Sequence, residues 1–165
     1  MKAKIFLVLL LFFEMFVFFG GQALAKEDSH KIYPLRPSRI ADYIEFTKGQ
    51  KRALLIYASW CPYCRSKIPD LIKMEDMKEG SVIAVSEDQN YSQFSKYITS
   101  LAHIPYKVIL SNPKGSNTLP KALKQFGVKA WRGYPTIVLF DEDNKVISQG
   151  TLSSDHIKSF LFSDD

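Results

Sequence analysis

"ASWCPYCRSKIP", residues 58–69, holds the only two cysteines of the chain, Cys61 and Cys64. Two thiols separated by two residues are half a metal site, a structural disulfide or a redox couple, and the flanking sequence chooses among them. Before them, "RALLIYAS" (52–59) is an apolar run of strand length, the pattern of a strand covered on both faces. After them, a helical pattern starts at Pro62 and runs through Ile68, Leu71, Ile72 and Met74 toward Glu79, with Pro69 expected to kink it. Cys61 therefore sits where a buried strand hands over to a helix. Pro62 suits the first helical position, because it lacks the amide hydrogen that goes unpaired there. The free amides and positive end of that helix stabilise a thiolate at Cys61, which makes it the nucleophile. Cys64, one turn on and further inside, is the natural resolving thiol.

The other two readings of the pair are weaker. A zinc site needs about four ligands, and the chain offers no third cysteine and only His30, His103 and His156, widely spread. A permanent disulfide here would close a loop too short to stabilise much. Redox chemistry is the reading that the spacing and position favour.

The N-terminus bears on where that chemistry runs. "MKAK" is a basic start, "IFLVLLLFFEMFVFFG" (5–20) an apolar run, and "ALA" (23–25) a small-residue cleavage site followed by polar "KEDSH". The pattern predicts a secretory signal peptide over residues 1–25, cleaved after Ala25, and a single exported domain over 26–165. Glu14 interrupts the run, and an uncleaved membrane anchor is the alternative. An exported compartment, periplasmic or otherwise, permits disulfides that a cytosol would reduce.

With 165 residues and a hydrophobic share of 46%, one domain can build a core without disulfide staples. Removing Lys2, Lys4 and Glu14 with the leader takes the net charge from +5 to +4. The lysines are scattered among acids, with no basic run interleaved with aromatics, so the sequence argues against nucleic-acid binding.

Outward from the cysteines, the chain alternates. "KEDSHKIYPLRP" (26–37) reads as an extended arm. "SRIADYIEFTKGQ" (38–50) is an amphipathic helix with Ile40, Tyr43, Ile44 and Phe46 on one face, Ser38 as N-cap and Gly49 as stop. "SVIAVSED" (81–88) is a second buried strand. "YSQFSKYITSLAHI" (91–104) places Phe94, Tyr97, Ile98 and Leu101 on one helical face, and "YKVILSN" (106–112) is a third strand. "NTLPKALKQFGV" (117–128) is a helix with Leu119, Ala122, Leu123 and Phe126 inward, stopped by Gly127. "PTIVLFDED" and "KVISQG" pair as a hairpin, and "SSDHIKSFLF" (153–162) closes as a helix capped by Ser153 or Ser154. This is an α/β alternation with parallel central strands and a final antiparallel hairpin.

"WCPYC" after a buried strand, Pro69 beyond it, and "GYPT" (133–136) before another buried strand together resemble the thioredoxin fold, over roughly residues 32–165. The resemblance implies a central mixed sheet flanked by helices, a cis peptide at Pro135 against the cysteines, and Trp60, Pro62, Tyr63, Tyr134 and Pro135 as the substrate-facing surface around the catalytic pair Cys61 and Cys64. The stretch from Cys64 to Pro135 is longer than in plain thioredoxins by an added helix and strand, "YSQFSKYITSLAHIPYKVILSN" (91–112). That insertion is similar to the exported TlpA/ResA-like thiol-disulfide oxidoreductases of bacterial envelopes, among them reductases of cytochrome c maturation. The resemblance implies protein thiols of the cell envelope as partners, a membrane thiol-disulfide relay to reset the pair, and no metal or organic cofactor.

Departures from the family pattern matter as much. Leu55 stands where thioredoxins carry an acid, and Lys67 where many ResA-like proteins carry a glutamate. The expected consequence is a missing proton-shuttling carboxylate, and a couple made more oxidising if Lys67 faces the thiols. "CPYC" leaves a disulfide oxidase or isomerase open, and a non-catalytic copper-binding or partner-binding module on the same fold is the remaining alternative. Trp131 is either part of the docking face or ordinary packing.

Overall fold

The computed structural model describes residues 30–163. The leader assigned to residues 1–25 lies outside them. Six strands form one mixed sheet: β1 (Ile32–Leu35), β2 (Arg52–Tyr57), β3 (Val82–Ser86), β4 (Val108–Ser111), β5 (Thr136–Phe140) and β6 (Val146–Gly150), in the order β1-β4-β3-β2-β5-β6. β1, β4, β3 and β2 run parallel, while on the other side of β2 the strand β5 pairs antiparallel with β2, and β6 antiparallel with β5. The helices are α1 (Pro37–Phe46), α2 (Pro62–Met77), α3 (Tyr91–Ser100), the short α4 (Leu119–Leu123) with a 3-10 turn at Lys124–Phe126, and α5 (Ser154–Phe162). The central mixed sheet flanked by helices is the thioredoxin-like architecture that the sequence implied.

β2 is the central strand and all six of its residues are buried. Successive side chains alternate across the sheet. Leu55 and Tyr57 enter one core with Cys64, Ile68, Phe94, Ile137 and Leu161. Leu54 and Ile56 enter the other with Ile40, Ile44, Leu123 and Phe140. The added helix and strand are α3 and β4, and β4 lies between β1 and β3, one strand in from the sheet edge. α3 is capped by Asn90, whose side chain accepts from Gln93 N at 3.0 Å. Its Phe94 is fully buried against Tyr57.

Several boundaries differ from the sequence expectation. The N-terminal arm becomes β1, because its backbone pairs with β4, a long-range partner that local patterning does not show. α1 opens at Pro37 with Arg36 at the N-cap, so Ser38 lies inside the first turn, and the helix ends at Phe46 with Thr47 as its C-cap, short of Gly49. Gly49 instead takes a φ of +111° in the following turn, where its N–H donates to Glu142 O at 2.8 Å. Phe46 points outward and is 88% exposed, because the buried stripe of α1 is Ile40, Ala41 and Ile44. α2 continues unbroken through Pro69. α3 stops at Ser100, leaving Leu101 as its C-cap. The helix expected over 117–128 breaks into α4 and the 3-10 turn before Gly127 closes it at a φ of +84°.

Arg52, at the start of β2, is fully buried. Its guanidinium donates to Ile44 O at 2.9 Å and Thr47 Oγ1 at 2.6 Å, at the C-terminal end of α1, and to Asn144 Oδ1 in the β5–β6 turn. One side chain thereby ties a helix end, the central strand and the hairpin together.

Candidate active site

β2 ends at Tyr57 and delivers Cys61 to the N-cap of α2, with Pro62 opening the helix. The Cys61 Sγ accepts from Cys64 N at 3.4 Å and lies 3.6 Å from Tyr134 O. Cys61 is 5% exposed and Cys64 is fully buried, and both are free thiols. A helix N-terminus aims unpaired amides at whatever occupies the cap, and here that group is sulfur. The inner thiol is the one held protonated. Burial, and then its hydrogen bond with Cys61, push Cys64 up to about 12.

Two outcomes follow from that shift. In the reduced protein at pH 7 to 8, iodoacetamide is expected to label Cys61 and leave Cys64 unmodified, as peptide mass mapping would show. A thiol whose folded pKa is raised stabilises the fold fully below its ordinary value of 9.0, and that contribution is lost as pH climbs toward about 12. The urea midpoint of the reduced protein should therefore fall over that window more steeply than that of the oxidised protein, in which Cys64 cannot titrate.

The Tyr134–Pro135 peptide is cis, and Pro135 is buried beside the cysteines' end of β5. Trp60 is 55% exposed and packs edge-on against Tyr134, with ring centroids 6.0 Å apart. Tyr63 and Pro62 are also exposed. The residues named from sequence, Trp60, Cys61, Pro62, Tyr63, Cys64, Tyr134 and Pro135, thus belong to two adjoining segments, the start of α2 and the loop before β5. Trp131 is half-buried against the core on the α1 side, and its indole N–H donates to Glu87 Oε2 at 3.0 Å.

Lys67 turns toward α5. Its Nζ donates to Ser154 Oγ at 3.1 Å at the start of α5, and Ser154 in turn donates to Asp70 Oδ2 at 2.6 Å. A buried carboxylate does lie at the site, although neither Leu55 nor Lys67 supplies it. It is Asp88, 6% exposed, which accepts from Ser59 N and Ser59 Oγ at 2.7 Å each. Arg65 Nε donates to Ser59 O, and its guanidinium sits over the Tyr97 ring. Glu87 Oε2 also accepts from Tyr134 OH at 3.0 Å. Burial and this carboxylate push the Tyr134 phenol well above its ordinary range. The sequence held one signal for these acids. They directly follow a buried strand whose neighbour carries the cysteines, and in open sheets chemistry gathers at the C-terminal ends of parallel strands.

His30 Nε2 lies 2.7 Å from Leu101 O, and His103 pairs with Asp76 at 2.9 Å, so neither joins the cysteines. Among the described residues, no group of three or more His, Cys, Asp or Glu could hold a metal ion.

The Redoxin family model matches residues 42–160 of the chain. A segment of 74 residues, 45% of the chain, is 30% identical to the thiol:disulfide interchange protein DsbE of Pasteurella multocida, and it spans 40% of that relative's length. Among solved structures, a thioredoxin-family thiol:disulfide interchange protein from Chlorobium tepidum superposes with a TM-score of 0.56 at 20% identity, covering 72% of this chain and 83% of that one. The pneumococcal exposed lipoprotein thioredoxin of Streptococcus pneumoniae does so with a TM-score of 0.51 at 26% identity, covering 70% and 86%.

Proposed function

The chain belongs to the Redoxin family, and from that premise we propose that it is an exported thiol-disulfide oxidoreductase exchanging a Cys61–Cys64 disulfide with protein thiols of the cell envelope. The observation that carries the reading is the asymmetry of the pair. Cys61 Sγ sits at a helix N-cap beneath the exposed Trp60, and Cys64 is sealed one turn below it with its proton held.

In the reducing direction, the Cys61 thiolate attacks one sulfur of a substrate disulfide. The Cys61–substrate bond forms as the substrate bond breaks, and the leaving sulfur departs as a thiolate that takes up a proton. Cys64 then loses its proton and attacks Cys61, releasing the second substrate thiol. The substrate has gained two electrons and two protons, and the enzyme carries the disulfide. The chemistry asks for no metal or organic cofactor. A membrane thiol-disulfide relay would reset the pair.

The reductase direction, in the manner of cytochrome c maturation, draws support from the integral α3–β4 insertion and from Lys67 being engaged with Ser154 instead of stabilising a thiolate. Export draws support from the leader and from the relative described as an exposed lipoprotein. Among the described residues no helix is long and apolar enough to cross a membrane. The test is the equilibrium reduction potential of the pair in dithiothreitol or glutathione buffers. A value at or below about −250 mV is expected; one between about −120 and −180 mV would make the protein a disulfide donor or isomerase instead.

A further inference from the structure

β2 and β3 are parallel neighbours, so the residues after β3 emerge at the same rim as the cysteines. Those residues are Glu87 and Asp88, and they turn to opposite halves of the site. Asp88 reaches the cysteine loop, where both carboxylate oxygens accept from Ser59, two residues before Cys61, and Oδ2 accepts also from Ser86 Oγ. Glu87 reaches the other segment, where a single oxygen accepts from Trp131 Nε1 and Tyr134 OH at 3.0 Å each. Its own backbone N–H is pinned to Tyr57 O at 2.9 Å. Tyr134 is the residue whose carbonyl faces Cys61 and whose ring packs on Trp60. Consecutive acids after a strand are ordinarily solvated; here one is buried and the other spends an oxygen on two aromatic donors.

We propose that Glu87 and Asp88 are positioning residues for the exchange reaction, Asp88 setting how readily the cysteine pair is reduced and Glu87 setting how tightly a protein substrate docks. The inference rests on the function proposed above. A negative charge held in buried surroundings beside the pair opposes thiolate formation and thereby favours the disulfide, which makes the dithiol a stronger reductant. Burial and the hydrogen bond with Cys61 raise Cys64 most, and the Asp88 charge adds in the same sense. Glu87 acts through the tyrosine and tryptophan rings, so its effect falls on binding.

The test uses the full chain, with the redox equilibrium read against dithiothreitol and steady-state reduction read with insulin as the disulfide probe. Asp88→Asn keeps the shape and removes the charge, and it should shift the equilibrium constant at least fivefold toward the dithiol. Glu87→Ala should leave that constant within twofold and raise KM at least fivefold with kcat retained. Tyr134→Phe, which loses the same hydrogen bond and keeps the ring, should also raise KM. An Asp88→Asn equilibrium within twofold of the parent overturns the proposal, as does an unchanged KM in Glu87→Ala. Should Asp88→Asn fail to fold, Asp88→Ser, which also removes the charge, is read by the same twofold criterion. A parent protein with no reversible couple would overturn the proposed function instead.

Discussion

Cys61→Ser is expected to abolish disulfide exchange, lowering turnover by about three orders of magnitude or more, whereas Cys64→Ser should stall with substrate held covalently at Cys61. The difference arises from the positions of the two sulfurs. Cys61 is the sulfur at the helix cap and beside the loop before Pro135, the position that suits it to make the first bond. Cys64 has no exposure of its own, lying in the core one turn along α2 from Cys61, whose Sγ its backbone N–H reaches. Without it the mixed disulfide has no internal route to resolution. Mass spectrometry of the Cys64→Ser protein after exposure to a disulfide-bonded peptide should find the adduct on Cys61. An adduct on Cys64 in a Cys61→Ser protein, formed at a comparable rate, would reverse the roles.

Arg52→Ala is expected to cost about 3 kcal/mol of folding stability, read as a lowered urea midpoint at unchanged slope. The loss combines a cavity with the hydrogen bonds that Ile44 O, Thr47 Oγ1 and the buried Asn144 Oδ1 accept from the guanidinium. Burial works against the guanidinium charge, and the end of α1 offsets it, because the C-terminal carbonyls of a helix attract a cation. Arg52→Lys should recover less than half of the loss, since one ammonium cannot span three acceptors set by a planar fork. A cost below about 1 kcal/mol for Arg52→Ala would mean that the junction of α1, β2 and the hairpin is held by apolar packing alone.

What could be read from the chain and what could not divide along a physical line. The strand before Cys61, the helix after it and the alternation of elements are carried by local periodicity and turn residues, and those emerged close to their observed limits. "GYPT" was legible because its residues sit in a recurring order relative to the cysteines. Arg52 was not, since as the first residue of an apolar run it resembles any polar strand boundary, and its partners lie 8 and 92 residues away. Asp88 was missed for the same reason, because Ser59 is 29 residues distant and no local pattern joins them. Its absence from the sequence reading led to the expectation of a site without a buried carboxylate. β1 read as an arm because an edge strand of four residues owes its conformation to its partner. Phe46 read as core because its spacing fits, but α1 ends there and the sheet no longer lies beneath it.

Cys61 and Cys64 are expected to form one reversible redox couple. The most direct measurement equilibrates the full chain across a series of dithiothreitol buffers, alkylates the remaining thiols and weighs the products. Both thiols should disappear together in a single two-electron step, with a Cys61–Cys64 linked peptide in the oxidised fraction, and both should return on reduction. Species with one thiol alkylated and one lost to another partner throughout the series, or two thiols that persist under every oxidising buffer, would contradict it.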